Sequence, residues 1–340
     1  MKYFVLSVML TIFSFSAENH ISLQYTSLKY KDHPLNDFIS IYGVAEDRYS
    51  FISGGLDIRA GITVLGILKK SGDFDLFPTI EKSKALVHSL SVDYYPSPEF
   101  MLSLGRQSLD INLLRGSFDG IMAVGDFDDF SLKTFYFKRY AALYPYYYKN
   151  EKLDKLYGFN LNYNKGIFES EVSYFSYYDH WVDNVYIAIH PDNFSFGVEH
   201  LGFHSKVLSD EKAYKLFAGY RYDNFYLEVG HYHVYEGRLR NIYALGGTEF
   251  KTFRLHGFLD QLEAKNIYAD LQYKDADFYA KLHLGYTSFE DKIGQDYSGK
   301  EIGVTLSKRY KDFEFSTTVL TQKSDQAGSL GERSTWVQAH

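Results

Sequence analysis

From His20 onward the apolar residues of this chain recur at every second position, and aromatic rings close off the alternating segments at their ends. Tyr157–Tyr163, Tyr214–Tyr222 and Phe278–Tyr286 are the clearest cases, and Ile267–Tyr273 and Ile302–Ser307 repeat the alternation. In each, one face carries Leu, Ile, Val, Ala and rings, and the other Gly, Asn, Thr, Lys, Arg or Asp. A period of two belongs to strands, not helices. A soluble sandwich also buries one face of each strand, but its largest rings belong mid-strand, in the core. A transmembrane barrel needs rings at both headgroup levels with an aliphatic band between them. The 32 Tyr and 28 Phe supply such girdles.

The connections sharpen this reading. Tight turns are expected at 96–98, 125–128, 164–166, 191–193, 223–224, 274–277 and 311–312. Between most of them lies a longer polar stretch: Lys69–Ser83, Asp110–Ser117, Leu143–Asp154, Glu236–Arg240, Glu290–Ser298 and Lys323–Arg333. Short turns alternating with longer loops are the rhythm of an outer-membrane barrel, which a Greek-key sandwich has no reason to keep. The expected fold is all-β, a transmembrane antiparallel up-and-down barrel of 18 strands within a range of 16 to 20. The range reflects two segments, Asp37–Ser50 and Asn241–Gly257. A barrel of that size is expected to enclose water.

The N-terminus agrees. Lys2, the uncharged run Tyr3–Phe13 and the small residues Ser14 and Ser16 have the form of a cleaved secretory signal over residues 1–16, leaving 17–340 as one barrel domain. No run of 18 apolar residues exists to span a bilayer as a helix. The absence of Cys removes disulfides and thiolate chemistry. A net charge of −7 gives no general attraction to nucleic acid, which is excluded as a partner.

Leu102–Leu109 (LSLGRQSL) followed by Ser117–Ile121 (SFDGI) resembles the OprD-type outer-membrane porins, in which a strand ends in a Gly-Arg-Gln-like tripeptide before a loop and a strand opening on Phe-Asp/Glu-Gly. The early segment Ile52–Leu68 is similar to the Gly-rich third strand of the same family. The resemblance covers about 35 residues. It implies an 18-stranded, substrate-admitting porin with a constriction lined by basic residues, and it allows a homotrimer. It also implies outer-membrane lipid, a small solute and the barrel-assembly machinery as partners, and the outer membrane of a Gram-negative type cell as location. The chain ends Trp336-Val337-Gln338-Ala339-His340 without the terminal aromatic usual for such barrels, so a C-terminus short of a few residues is expected.

Alternation sends the polar face of each strand to the lumen. The lumen candidates are Asp57, Arg59, Glu169, Glu171, Glu199, Arg221, Glu228, Arg254, Asp270, Lys281, Arg309 and Glu314. With acids early and cations late, opposite walls are expected to carry opposite charge. Strict parity places Arg106 with Leu102 and Leu104, toward lipid. A bulge at Gly105 is expected to re-aim it inward, with Leu109–Phe118 folded toward the channel and Arg115 next at the constriction. His231 and His233 share a face with Leu227 and Val229 and read as girdle residues rather than metal ligands. No residue set argues for catalysis or a cofactor. The expected function is passive diffusion of small polar or charged solutes past a charged constriction. The alternatives are a surface adhesin or receptor built on a barrel, and a secreted soluble β-sheet binding protein.

Overall fold

In the computed structural model the described residues are 18–30, 36–51, 55–71, 84–111, 114–144, 147–237, 262–290, 294–310, 313–325 and 334–339. The expected leader at 1–16, the segment Asn241–Gly257 and Arg254 lie outside them. Among the described residues eighteen strands follow one another. The first nine are β1 (Glu18–Tyr30), β2 (Asn36–Phe51), β3 (Leu56–Ser71), β4 (Lys84–Ser97), β5 (Phe100–Ile111), β6 (Leu114–Phe127), β7 (Phe130–Tyr144), β8 (Tyr147–Lys165) and β9 (Phe168–Tyr177). The rest are β10 (His180–Ile189), β11 (Phe194–Ser205), β12 (Glu211–Tyr222), β13 (Phe225–Glu236), β14 (Leu262–Lys274), β15 (Phe278–Glu290), β16 (Asp296–Tyr310), β17 (Phe313–Ser324) and β18 (Ser334–Ala339). All belong to one sheet. Each pairs antiparallel with the next, and β1 pairs also with β18, from Tyr25↔Ala339 to Tyr30↔Ser334. The fold is an up-and-down β-barrel.

In two of the expected loops, Asp110–Ser117 and Leu143–Asp154, the described residues are strand: Asp110 pairs with Arg115 and Leu143 with Tyr148. Strands that run past the apolar band keep their backbone ladder, because polar side chains remove only the need to meet lipid.

Burial is inverted relative to a soluble protein. Along β4, Leu90, Val92 and Tyr94 are exposed while Ser89, Ser91 and Asp93 are buried. On β13 Leu227 and Val229 are exposed around a buried Glu228, and on β16 Ile302, Val304 and Leu306 are exposed beside a buried Glu301. An apolar surface this extensive opposes the hydrophobic effect in water and is satisfied in a bilayer. Rings border it. On the tight-turn side Phe127 lies on Phe130 at 4.7 Å, Phe194 on Tyr220 at 4.9 Å and Phe225 on Tyr273 at 5.0 Å. Toward the other end Tyr157, Tyr214, Tyr235 and Tyr286 lie on the outward face.

The inward faces of β8 to β15 form two tiers. On the tight-turn side they carry carboxylates, amides and lysines. Toward the other end they carry a buried apolar cluster that includes Leu156, Phe175, Val182, Phe203, Tyr232, Val234 and Phe289. Leu109, Ile111, Leu114 and Phe118 of the β5–β6 hairpin belong to that same cluster.

The hairpin reaches them by leaving the wall. Pairing of β4 with β5 runs from Ser97↔Phe100 only as far as Leu90↔Arg106, and pairing of β6 with β7 begins at Ser117↔Ala141. Residues 107–111 and 114–116 therefore pair only within the hairpin. With β5 and β6 turned inward, Ala141 of β7 packs in one apolar cluster with Leu65 of β3 and Leu86 of β4. The inward fold expected of Leu109–Phe118 is present, as a paired hairpin rather than a loop. This half of the lumen is consequently packed, a correction to the expectation of an open water-filled channel: the tip supplies apolar side chains that displace water.

Candidate functional site

The polar tier is built by alternation. Once Leu, Val and Ile face out, every intervening residue faces in, and the narrow spacing of neighbouring strands makes those residues partners.

One wall comes from β2 to β5. Arg48 Nε donates to Asp57 Oδ2 at 2.5 Å, and Asp57 is 1% exposed. Arg59 bridges Glu46 Oε1 at 3.5 Å and Asp93 Oδ2 at 3.1 Å. The hydroxyls of Ser91 and Ser103 donate to Asp93 Oδ1 at 3.0 and 2.5 Å. His88 is the extra residue of a bulge opposite Gly61, and its ring joins Glu46 at 2.8 Å and Thr63 at 3.0 Å.

The facing wall runs from β8 to β16. Glu171 accepts from Asn160 Nδ2 at 2.8 Å, and Glu199 from Asn184 Nδ2 at 2.9 Å. Lys215 lies 3.4 Å from Glu228 Oε1, with its ammonium over the rings of Phe217 and Tyr268 at 4.8 and 5.4 Å. Glu228 also accepts from the hydroxyls of Tyr268 at 2.7 Å and Tyr226 at 3.0 Å. Asp270 is held between Lys281 at 2.7 Å and His283 at 2.5 Å, and His283 Nε2 lies 3.5 Å from Glu301. A buried charge survives only when paired and hydrogen-bonded, and these partners meet that need.

Most candidates therefore take inward positions: Asp57, Arg59, Glu169, Glu171, Glu199, Glu228, Asp270 and Lys281. Glu169 sits at the tight-turn rim beside His190, at 3.2 Å. Arg221 and Arg309 are exposed at the same rim, Arg221 over the Tyr226 ring at 5.7 Å. Glu314 is the cross-strand partner of Arg309, and Arg115 that of Asp110. Among the described residues the expected separation of charge onto opposite walls is not found. Lys215 and Lys281 are interleaved with carboxylates of their own wall, because each strand's inward residue takes its partner from the next strand.

Arg106 is a second correction. The β5 register passes Gly105 without a shift, so Arg106 stays on the face of Leu102 and Leu104. There its Nε and Nη2 donate to Asp119 at 2.5 and 2.8 Å, and Nη1 donates to the Val87 carbonyl at 3.0 Å. Parity had it right: paired charge at the edge of the apolar band needs no re-aiming. His231 and His233 also face outward, their rings 6.3 Å apart between Val229 and Tyr235.

Several partners escaped the sequence reading: Glu46, Arg48, His88, Asp93, Lys215, His283 and Glu301. Lys215 and His283 share the parity of Phe217 and Lys281, so the signal for an inward position was present. Their partners were not readable, since parity names a face and not the residue across it.

Comparison with known proteins turns on this architecture. No protein-family model matches the chain, and no curated protein matches it. Solved structures do. Acinetobacter baumannii OccAB3 superposes with a TM-score of 0.76 at 11% identity, covering 94% of this chain and 97% of that one. Pseudomonas aeruginosa OpdK, solved with vanillate, gives 0.74 at 11% identity over 94% and 97%. A BenF-like porin from Pseudomonas fluorescens gives 0.73 at 10% identity over 96% and 98%, and a variant of OccD1 (OprD) 0.70 at 12% over 96% and 95%. The chain has the barrel fold of these structures. The Gly105-Arg106-Gln107 tripeptide on which the sequence resemblance rests lies at the root of the inward hairpin.

Proposed function

We propose that this protein is an outer-membrane porin, a passive diffusion channel for small polar or charged solutes in a Gram-negative type envelope. The observation that carries the reading is the inversion of burial. Apolar side chains bordered by aromatic rings cover the outside, while paired charges line the inside. A soluble binding protein would arrange these surfaces the other way round. The OprD-type fold supports the same reading, and transport past the polar tier needs neither cofactor nor covalent chemistry.

Arg59, Lys281 and His283, the partly exposed inward residues, are the ones assigned to meet the solute, and the buried Asp57, Glu171, Glu199, Glu228 and Asp270, with Lys215 and Glu301 added from the structure, set the field around them. Arg106 is assigned elsewhere.

The test is single-channel recording in a planar bilayer with detergent-purified protein. Stepwise conductance is the expected result. Insertion without conductance would reject the channel and leave a barrel whose function lies in its loops. A protein that stays soluble without detergent and never inserts would reject the membrane barrel itself.

A further inference from the structure

We propose that Gly105-Arg106-Gln107 is the hinge and latch of the β5–β6 hairpin: Arg106 holds the apolar tip across the lumen, and its release lets the tip withdraw. The conductance arm of this proposal rests on the porin reading above. The structural arm does not.

Among the described residues no ladder joins the tip to the wall beyond Arg106 on β5 and before Ser117 on β6. Leu109, Ile111 and Leu114 of the tip reach the far wall through an apolar cluster, a contact that is non-directional and can be broken without unpairing a strand.

The root is specifically tied. Val87 lies just past the point where β5 departs from β4, and its carbonyl receives the Arg106 guanidinium at 3.0 Å. The other nitrogens of the same guanidinium grip Asp119 on β6 through two bonds, at 2.5 and 2.8 Å. Arg139 Nε of β7 approaches the same carboxylate at 3.9 Å. Val87, Arg106, Asp119 and Arg139 thus form a seam from β4 to β7 across the gap through which the hairpin turns in. Only a planar fork serves two acceptors in this way; a lysine would keep the charge and lose the geometry.

The flanking residues complete the device. Gly105 has φ +122°, and a Cβ there would stand 2.3 Å from the Leu90 carbonyl, so the bend requires glycine. Gly116 has φ +149° on the returning strand. On the inner face Gln107 Nε2 donates to the carbonyls of Ser103 and Gly120, both at 3.0 Å, bridging β5 to β6 just inside the hinge.

The experiment compares wild type with Arg106→Met, Arg106→Lys and Asp119→Asn, each first shown to be folded by its heat-dependent shift in electrophoretic mobility. Two readouts are taken on each. In bilayer recordings, Arg106→Met is expected to shift the ratio of open to low-conductance dwell times toward open by at least about tenfold, as loss of charge-assisted bonds implies. Arg106→Lys should fall between it and wild type. By hydrogen exchange, the amides of 107–111 and 114–116 should exchange faster by a similar factor, with β9 to β16 unchanged. Equal dwell ratios together with equal tip exchange would overturn the latch. So would faster exchange spread evenly over all strands, which is what a merely structural residue would give. If wild type inserts and never conducts, the porin reading fails, and the tip exchange rates still decide the latch.

Discussion

Lys215 on β12 and Glu228 on β13 meet inside the barrel with Nζ and Oε1 3.4 Å apart, their side chains only 2% and 4% exposed. Removing one partner leaves a buried charge without its counter-ion, which costs far more than the pair contributes. Lys215→Met is expected to destabilise the folded barrel by about 3 kcal/mol. The double variant Lys215→Met with Glu228→Gln should recover much of that loss. Urea unfolding in detergent measures both, and a double variant as unstable as the sum of the singles would reject the coupling.

Among its described residues the inward face of the wall from β9 to β16 carries Glu169, Glu171, Glu199, Glu211, Glu228, Asp270 and Glu301 against Lys215, Arg221, Lys281, His283 and Arg309. An excess of carboxylate draws cations into the lumen. In a salt gradient the reversal potential should indicate cation preference, and Glu171→Gln combined with Glu301→Gln should reduce it. An unchanged potential would mean that permeating ions do not pass this wall.

Asp210, in the connection between β11 and β12, has its carboxyl held below the ordinary value of 3.8. The largest cause is the hydrogen bond from the His204 ring, and the Ser205 N–H adds to it. A depressed acid contributes stability above its unfolded pKa and loses it as pH falls through the folded value. Amide protection of Lys206–Asp210 should hold from neutral pH down to about pH 5 and drop below about pH 4. Asp210→Asn should abolish that step; a step that survives it would belong to another group.

Gly105 and Gly166 both have positive φ but differ in surroundings. A Cβ at Gly105 meets the Leu90 carbonyl at 2.3 Å, whereas at Gly166 nothing lies within 4 Å. Gly166→Ala should cost only the backbone preference, about 1 kcal/mol. Gly105→Ala adds a backbone clash and should cost at least about 2 kcal/mol. Equal denaturation midpoints would show that the hinge is not constrained as described.

Leu284 lies mid-strand on the outward face of β15, and Tyr222 at the turn-side girdle end of β12. Leu284→Arg should reduce folding stability in liposomes by about 2–4 kcal/mol, and Tyr222→Arg by no more than about 1 kcal/mol. Equal costs at both depths would contradict a bilayer around this band.

The alternation of residues such as Leu282, His283 and Leu284 determined by itself which side chains face lipid and which face the lumen, because a strand has only two faces. The same periodicity, with turns between the alternating runs, determined an up-and-down barrel of 16 to 20 strands, with eighteen as the expected number. What only the tertiary structure decided is who meets whom. The pairing of Lys215 with Glu228 rather than elsewhere depends on strand register, which the residues of one strand do not encode. The departure of the β5–β6 hairpin from the wall depends on an apolar tip finding Phe175, Phe203 and Tyr232 on strands far along the chain. The role of Arg106 follows from that departure: Asp119 is its cross-strand partner within the hairpin, and the Val87 carbonyl meets it where β5 leaves β4.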